Sequence, residues 1–287
     1  MPLLKTKAIL DHATQNRYGV LAVNTFNYET IKWTVRAAEL ENVPVIVQFY
    51  PGYDTFIPQE FVTHMAKTTA KNASVPVAVH LDHSHSYEIA VDGIKNGFPS
   101  IMVDGSALPF KQNVELTKAV VRTARVFDVD VEAELGYVGS GDNAEAMTNT
   151  DLFTNPDEAS DFVRKTGCDI LAIAVGNAHG PYAKTPNLDF DRIKTIRKAV
   201  DIPLVMHGSS GIPDEQMQEA ARRGISKYNL ATEYFRAYFN ALQSGIAQGG
   251  TTDAHYLTTT RLEEPVVEFL RAKMRLMNPK GITLCTT

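Results

Sequence analysis

Three histidines and an aspartate, His80, Asp82, His83 and His85, crowd the end of the apolar run "VAVHLDHSHSYE" (77–88). Imidazole beside carboxylate does one of two things, moving protons or holding a metal. Two further histidines follow apolar runs of the same kind, His179 in "GNAHGPY" and His207 in "MHGSSG". A lone histidine reads as a hydrogen-bonded core residue. Three at strand ends of one fold, leaving a fourth position open, read as a catalytic zinc site. His80 lies deeper in its strand and reads as packed interior, and His85 as exposed or capping the next helix. His12, His64 and His255 have no such company. Asp82 either orients an imidazole or acts as general acid/base beside the metal, and an inward position favours the second. Glu134 and Asp104 are carboxylates that support the ligands or bind an additional cation; the sequence leaves both open.

These side chains need elements that bring them together. Short β-branched runs recur along the chain at 19–25, 43–49, 75–82, 100–105, 129–136, 169–176, 202–208 and 225–232. Segments between them, such as "SYEIAVDGIKNG" and "NVELTKAVVRTARVF", repeat apolar residues at three- and four-residue spacing. Strand then helix, eight times, predicts an α/β chain folded as a closed (β/α)8 barrel, read as one domain over residues 1–287. An open sheet is the rival, but G-x-G-x-x-G is missing after the first strand. A helical, charged extension from about Tyr256 to Met277 is expected outside the barrel or on a neighbouring subunit.

Alternation sets which residues face the barrel axis. With Val77, Val79 and Leu81 toward the helices, Ala78, His80 and Asp82 turn inward, and His83 sits just past the strand end. The same parity turns Asn24, Gln48, Asp104, Glu132, Glu134, His207 and Asn229 inward. A purely structural barrel would carry Val, Ile and Leu there, so this mouth reads as an active site. After the seventh strand comes "HGSSG" and at the end of the eighth "NLAT". Barrel loops at those two places, each leading into a helix N-terminus, suit a phosphate.

Composition narrows the partners. The chain has 287 residues, 44% hydrophobic and 21% charged, with a net charge of −5. That balance argues against a nucleic-acid surface. No window has the apolar length of a membrane span, and the N-terminus lacks the h-region of a secretion signal. Two distant cysteines, Cys168 and Cys285, make no disulfide scaffold, so a cytoplasmic home is expected.

The motifs "AVHLDHS", "VEAELG", "AVGNAHGPY", "LVMHGSSGIP" and "ISKYNLATE" together resemble the class II, metal-dependent ketose-bisphosphate aldolases, fructose- and tagatose-bisphosphate aldolases among them. The resemblance runs from about Leu4 to Met277. It implies Zn2+ on His83, His179 and His207, with Glu134 beside it, and Asp82 shuttling the C4 hydroxyl proton. It implies that Gly180, Gly208, Ser209, Ser210, Asn229, Leu230, Ala231 and Thr232 hold the dihydroxyacetone phosphate half, and it adds Asn24 and Gln48 to the substrate-binding set. A monovalent cation (Na+ or K+) near that phosphate and a homodimer or homotetramer also follow. Retro-aldol cleavage then needs no lysine Schiff base.

The chain departs from the family pattern on one side of the site. The loop after the fifth strand reads "VGSGDNAEAM", with Asp142 in place of a glutamate thought to exchange the enediolate proton, and Glu145 nearby. Tyr50 stands where relatives carry a small residue. "TDAHYL" replaces a "DPR"-like segment, although Arg261 keeps the position of an arginine linked to the distal phosphate. The expectation is a zinc aldolase of the fructose or tagatose 1,6-bisphosphate type. The alternatives are a metal-dependent barrel hydrolase, a non-catalytic phosphosugar-binding relative, and a Schiff-base enzyme using Lys227.

Overall fold

A computed structural model describes residues 2–143, 147–248 and 253–284. Among them, eight parallel strands close into a barrel in sequence order, with β8 pairing back onto β1. They are β1 (Val20–Asn24), β2 (Val45–Phe49), β3 (Val77–Ser84), β4 (Ser100–Val103), β5 (Asp130–Leu135), β6 (Ile170–Ile173), β7 (Leu204–Met206) and β8 (Ile225–Leu230). The expected (β/α)8 architecture is what the chain adopts.

The interior has two regimes. Val20, Ala22, Ile46, Ala78, Ile170, Ala172 and Val205 fill its lower part. The helix before the barrel, α1 (Thr6–Asn16), closes that end by adding Ile9, Leu10 and Ala13 to the same cluster. Above these layers the inward side chains are polar. The other strand face packs on the surrounding helices: Val77, Val79 and Leu81 belong to that outer core, as parity predicts.

Local signals start the helices where the sequence places them. Asn27 accepts from Thr30 N in a capping box ahead of α2 (Tyr28–Glu41). Ser86 caps α4 (Tyr87–Lys95), which follows α3 (Gln59–Lys71), by accepting from Ile89 N. So Ser86, not His85, is the cap. The longer helices that follow are α5 (Phe110–Val126), α6 (Pro156–Thr166), α7 (Phe190–Ala199), α8 (Asp214–Arg223) and α9 (Thr232–Ala247), and then α10 (Glu263–Met277).

The C-terminal extension packs on its own barrel. Val266, Val267, Leu270, Met274 and Met277 of α10 are buried, and Arg271 Nε donates to Glu41 of α2 at 2.7 Å. A π-helix, Leu257–Leu262, leads into α10. No helix among the described residues is long and apolar enough to cross a membrane. Cys168 is buried and free, and Cys285 lies outside the described residues.

Candidate active site

The structure changes how His83 reaches the mouth. β3 does not end at Asp82 but runs on to Ser84. Strict alternation would then turn His83 toward the helices. Instead its register against β4 shifts between Leu81 and Ser84, and His83 adopts φ 37°, in the left-handed region. A non-glycine residue there is strained by about 1–3 kcal/mol, and bulges that re-aim side chains are common beside active sites. The irregularity puts both Asp82 and His83 at the mouth.

His83, His179 and His207 converge, with one nitrogen of each within 4.8 Å of the others. Their outer nitrogens fix the tautomers. His83 Nδ1 donates to Asp104 Oδ2 at 2.9 Å, and His207 Nε2 to Glu132 Oε1 at 2.9 Å. His179 Nδ1 donates to the Val138 carbonyl at 3.3 Å. Each ring therefore turns its other nitrogen toward one point. His83 Nε2 and His207 Nδ1 face each other at 2.9 Å, and His179 Nε2 is buried with no partner. In the metal-free protein a proton on His83 Nε2 bridges the close pair, and a metal would take its place. Tetrahedral zinc needs such nitrogens about 3.3 Å apart, so a small opening of the pair accommodates it. The donor set fits the metal.

Charge around the point agrees. Burial works against protonating His83, but Asp82, the hydrogen bond to Asp104 and Glu134 raise its pKa to about 9. Burial and the neighbouring His83 lower His179 to about 4 and hold His207 well below the usual histidine value. Asp104 also accepts from Ser106 N and Oγ at 3.0 and 2.7 Å. Glu134 Oε2 is buried without a hydrogen-bond partner, and burial and the Asp104 charge raise its pKa well above the carboxylate range. Glu134 and Asp104 share a second convergence with His83, again within 4.8 Å.

Asp82 is held by three amides. Asn24 Nδ2 donates at 3.1 Å and Gln48 Nε2 at 3.3 Å to Oδ2, and Asn229 Nδ2 at 3.1 Å to Oδ1. Burial raises its pKa, but His83, His207 and Lys227 and the Asn24 donor outweigh that, so it lies below the ordinary aspartate value. Asn24, Gln48 and Asn229, each predicted to face inward, thus meet at one carboxylate.

One layer deeper lies a charge network whose pairing the sequence did not reveal. Lys227 Nζ donates to both oxygens of Glu132, at 2.7 and 3.0 Å, with both side chains fully buried. Glu132 in turn holds His207, while His80 is fully buried and bonds Ser100 Oγ at 2.8 Å. His80 is packed interior, as expected, and Lys227 is a charge partner unsuited to Schiff-base chemistry. Lys227→Met would strand Glu132 in the barrel. It is expected to cost roughly 3–5 kcal/mol in denaturant unfolding, with Glu132→Gln added to it recovering most of the loss.

The predicted phosphate residues divide by role. Gly180, Gly208, Ser210, Ala231 and Thr232 line a cavity of about 270 Å³ that also takes in Asp82 and His83. Gly208 has φ 62°, and a Cβ there would lie 1.9 Å from the Ala178 carbonyl oxygen. Ser209 is buried with Oγ donating to Met206 O, and the Leu230 side chain belongs to the outer core. Both side chains are thus committed elsewhere, and Ser209 N–H is itself bonded to Asn229 O at 3.3 Å. Tyr182 was not foreseen: its hydroxyl accepts from Ala178 N and donates to Gly208 O, both at 2.8 Å, tying the two loops.

The loop after β5 has a role the sequence hid. Gly139 O accepts from His179 N at 2.7 Å, and Gly141 N donates to His179 O at 2.6 Å, so "VGSG" fixes the ligand that lies farthest from a strand. Asp142, next along, is exposed and lines none of the mouth cavities, and Glu145 lies outside the described residues. Arg261 is not brought to the mouth by this chain. It donates to Gln248 Oε1 at 2.9 Å, stacks on Tyr256, and lines a separate cavity with Asn240 and Ser244. His85 is exposed, its ring 5.9 Å from that of His83.

A family model for class-II fructose-bisphosphate aldolases matches residues 4–282. The YdjI aldolase of Escherichia coli K12 is 34% identical, with a TM-score of 0.85 over 97% of this chain and 98% of that one. A putative fructose-1,6-bisphosphate aldolase from Coccidioides immitis is 27% identical, with a TM-score of 0.84 over 96% and 97%. Fructose-bisphosphate aldolase of Campylobacter jejuni, at 22% identity and a TM-score of 0.82 over 96% and 95%, shares the fold.

Proposed function

The chain belongs to the class-II fructose-bisphosphate aldolase family, and on that premise we propose that it is a zinc-dependent aldolase reversibly cleaving a phosphorylated ketose to dihydroxyacetone phosphate and an aldehyde. The observation that carries this reading is the set of three convergent imidazole nitrogens beside an amide-held carboxylate, at the edge of a glycine-lined cavity. Family membership sets aside the hydrolase alternative.

Held by His83, His179 and His207, zinc would supply Lewis acidity at the ketose carbonyl. Asp82, ionised and held on both oxygens, accepts the C4 hydroxyl proton as the C3–C4 bond breaks, and returns it in condensation. Its three amide partners fix the carboxylate, so it meets the hydroxyl without searching rotamers. Gly180, Gly208 and Ser210 surround the phosphate beside the N-terminus of α9, where N–H groups and the helix dipole favour an anion. Asp142 is exposed, and no proton transfer is assigned to it.

The direct test is a coupled assay for dihydroxyacetone phosphate released by the zinc-loaded protein from a panel of phosphorylated ketoses. Turnover of at least one is expected. Tight binding with no release from any would instead favour the non-catalytic phosphosugar-binding reading.

A further inference from the structure

Within the aldolase reading, on which this inference rests, we propose that Asn177 and Tyr182 are positioning residues for the substrate phosphate. Both lie on the loop after β6, and both hold the main chain of the loop after β7, so that Gly208 N–H is presented to the ligand together with Gly180 N–H. Among the described residues neither of these two N–H groups has a hydrogen-bond partner, and both glycines line the cavity of about 270 Å³. Main-chain donors left unpaired at a cavity call for an acceptor there, from a ligand or from water.

The peptide units to which they belong show what aims them. A peptide is planar and trans, so its N–H points opposite to its C=O. In the unit joining His179 to Gly180, the carbonyl accepts from Gly141 N at 2.6 Å, which turns Gly180 N–H away from the loop after β5. In the unit joining His207 to Gly208, the carbonyl accepts from Asn177 Nδ2 at 3.0 Å, which turns Gly208 N–H away from Asn177. The Asn177 amide has one usable orientation. Val175 N donates to its Oδ1 at 2.8 Å, leaving the NH2 end for the carbonyls of His207 and, at 3.4 Å, Ile173.

Tyr182 fixes the next unit along. Its hydroxyl accepts from Ala178 N and donates to Gly208 O, and Ser209 N, at the other end of that unit, donates to Asn229 O at 3.3 Å. Two consecutive carbonyls, those of His207 and Gly208, are thus each held by a side chain from the loop that carries Gly180. Neither Asn177 nor Tyr182 lines the cavity itself, so both act through the main chain. The spacing of the two donors is set before a ligand arrives, which spares binding the cost of ordering them. The His207 ring has a separate anchor, Glu132, so its hold on a metal does not depend on these ties.

The test is titration calorimetry with inorganic phosphate on the zinc-loaded full chain, beside steady-state cleavage of a ketose phosphate. Asn177→Ala and Tyr182→Phe are each expected to weaken phosphate binding at least about fivefold and to raise KM by a similar factor. The fall in kcat should be smaller than the rise in KM, with zinc content per chain unchanged. Tyr182→Phe removes a single hydroxyl and decides the matter if Asn177→Ala does not fold. Phosphate affinity unchanged in the folded variants, a loss confined to kcat, loss of zinc, or no phosphate binding by the wild-type chain overturns the proposal. A wild-type chain that binds phosphate but cleaves no ketose phosphate defeats the aldolase reading instead, and the phosphate titrations still decide the role of the two side chains.

Discussion

Asp82→Ala is expected to lower kcat for ketose cleavage by roughly 10²–10⁴-fold with zinc content per chain unchanged. The carboxylate sits 4.0 Å from His83 Nε2, close enough to work on a substrate held there, and both its oxygens are taken up by amide donors. Asn24, Gln48 and Asn229 aim it, and none of the three can replace it as a base. The variant leaves the three imidazoles and their outer partners intact, so metal retention and catalysis should separate. Metal analysis and steady-state kinetics on the same preparation read both. Undiminished turnover would remove Asp82 from the proton-transfer role, and loss of zinc would recast it as a group that positions His83. The pH profile adds a check. Burial raises the Asp82 pKa, but the surrounding His83, His207 and Lys227 charges bring the net below the usual aspartate value. An acid limb caused by its protonation should therefore fall below the ordinary carboxylate range.

Much of this site was legible because a closed barrel enforces period-two alternation on every strand. Asn24, Gln48, Glu132, Glu134, His207 and Asn229 all face the interior, and the apolar partners of β3 face the helices, as the pattern of β-branched residues required. What alternation misses is where it is broken. His83 lies on a bulged, left-handed position that no sequence rule located, and counting it as past the strand end reached the right place for the wrong reason. Pairings across strands were equally hidden. Lys227 and Glu132 stand 95 positions apart, and parity gives each a direction but no partner. The glycine loop that holds His179 acts through main-chain groups, which carry no side-chain signature. Ser209 and Leu230 show the converse: a motif marks a segment, and the backbone decides which of its side chains reach the cavity.

Exhaustive chelation is expected to abolish cleavage, and zinc alone to restore it with release of close to one proton per chain near neutral pH. The number follows from the three ligands. Burial and the His83 charge keep His179 near pKa 4 and His207 well below its usual value, so both offer lone pairs at pH 7. His83 differs: burial opposes its charge, yet Asp82, Asp104 and Glu134 raise it to about 9, so the metal-free protein holds a proton there. An unfolded histidine titrates near 6.5, so a folded value of about 9 means that this proton stabilises the metal-free fold. That contribution is complete below about pH 6.5 and is lost as pH rises through about 9. Zinc must displace the same proton, so its apparent affinity should climb with pH through this window and level off above it. Titration calorimetry in buffers of different ionisation enthalpy reads the proton count directly. Release that persists undiminished well above pH 9 would mean that the proton comes from another group, and activity surviving chelation would remove the metal from the reaction altogether.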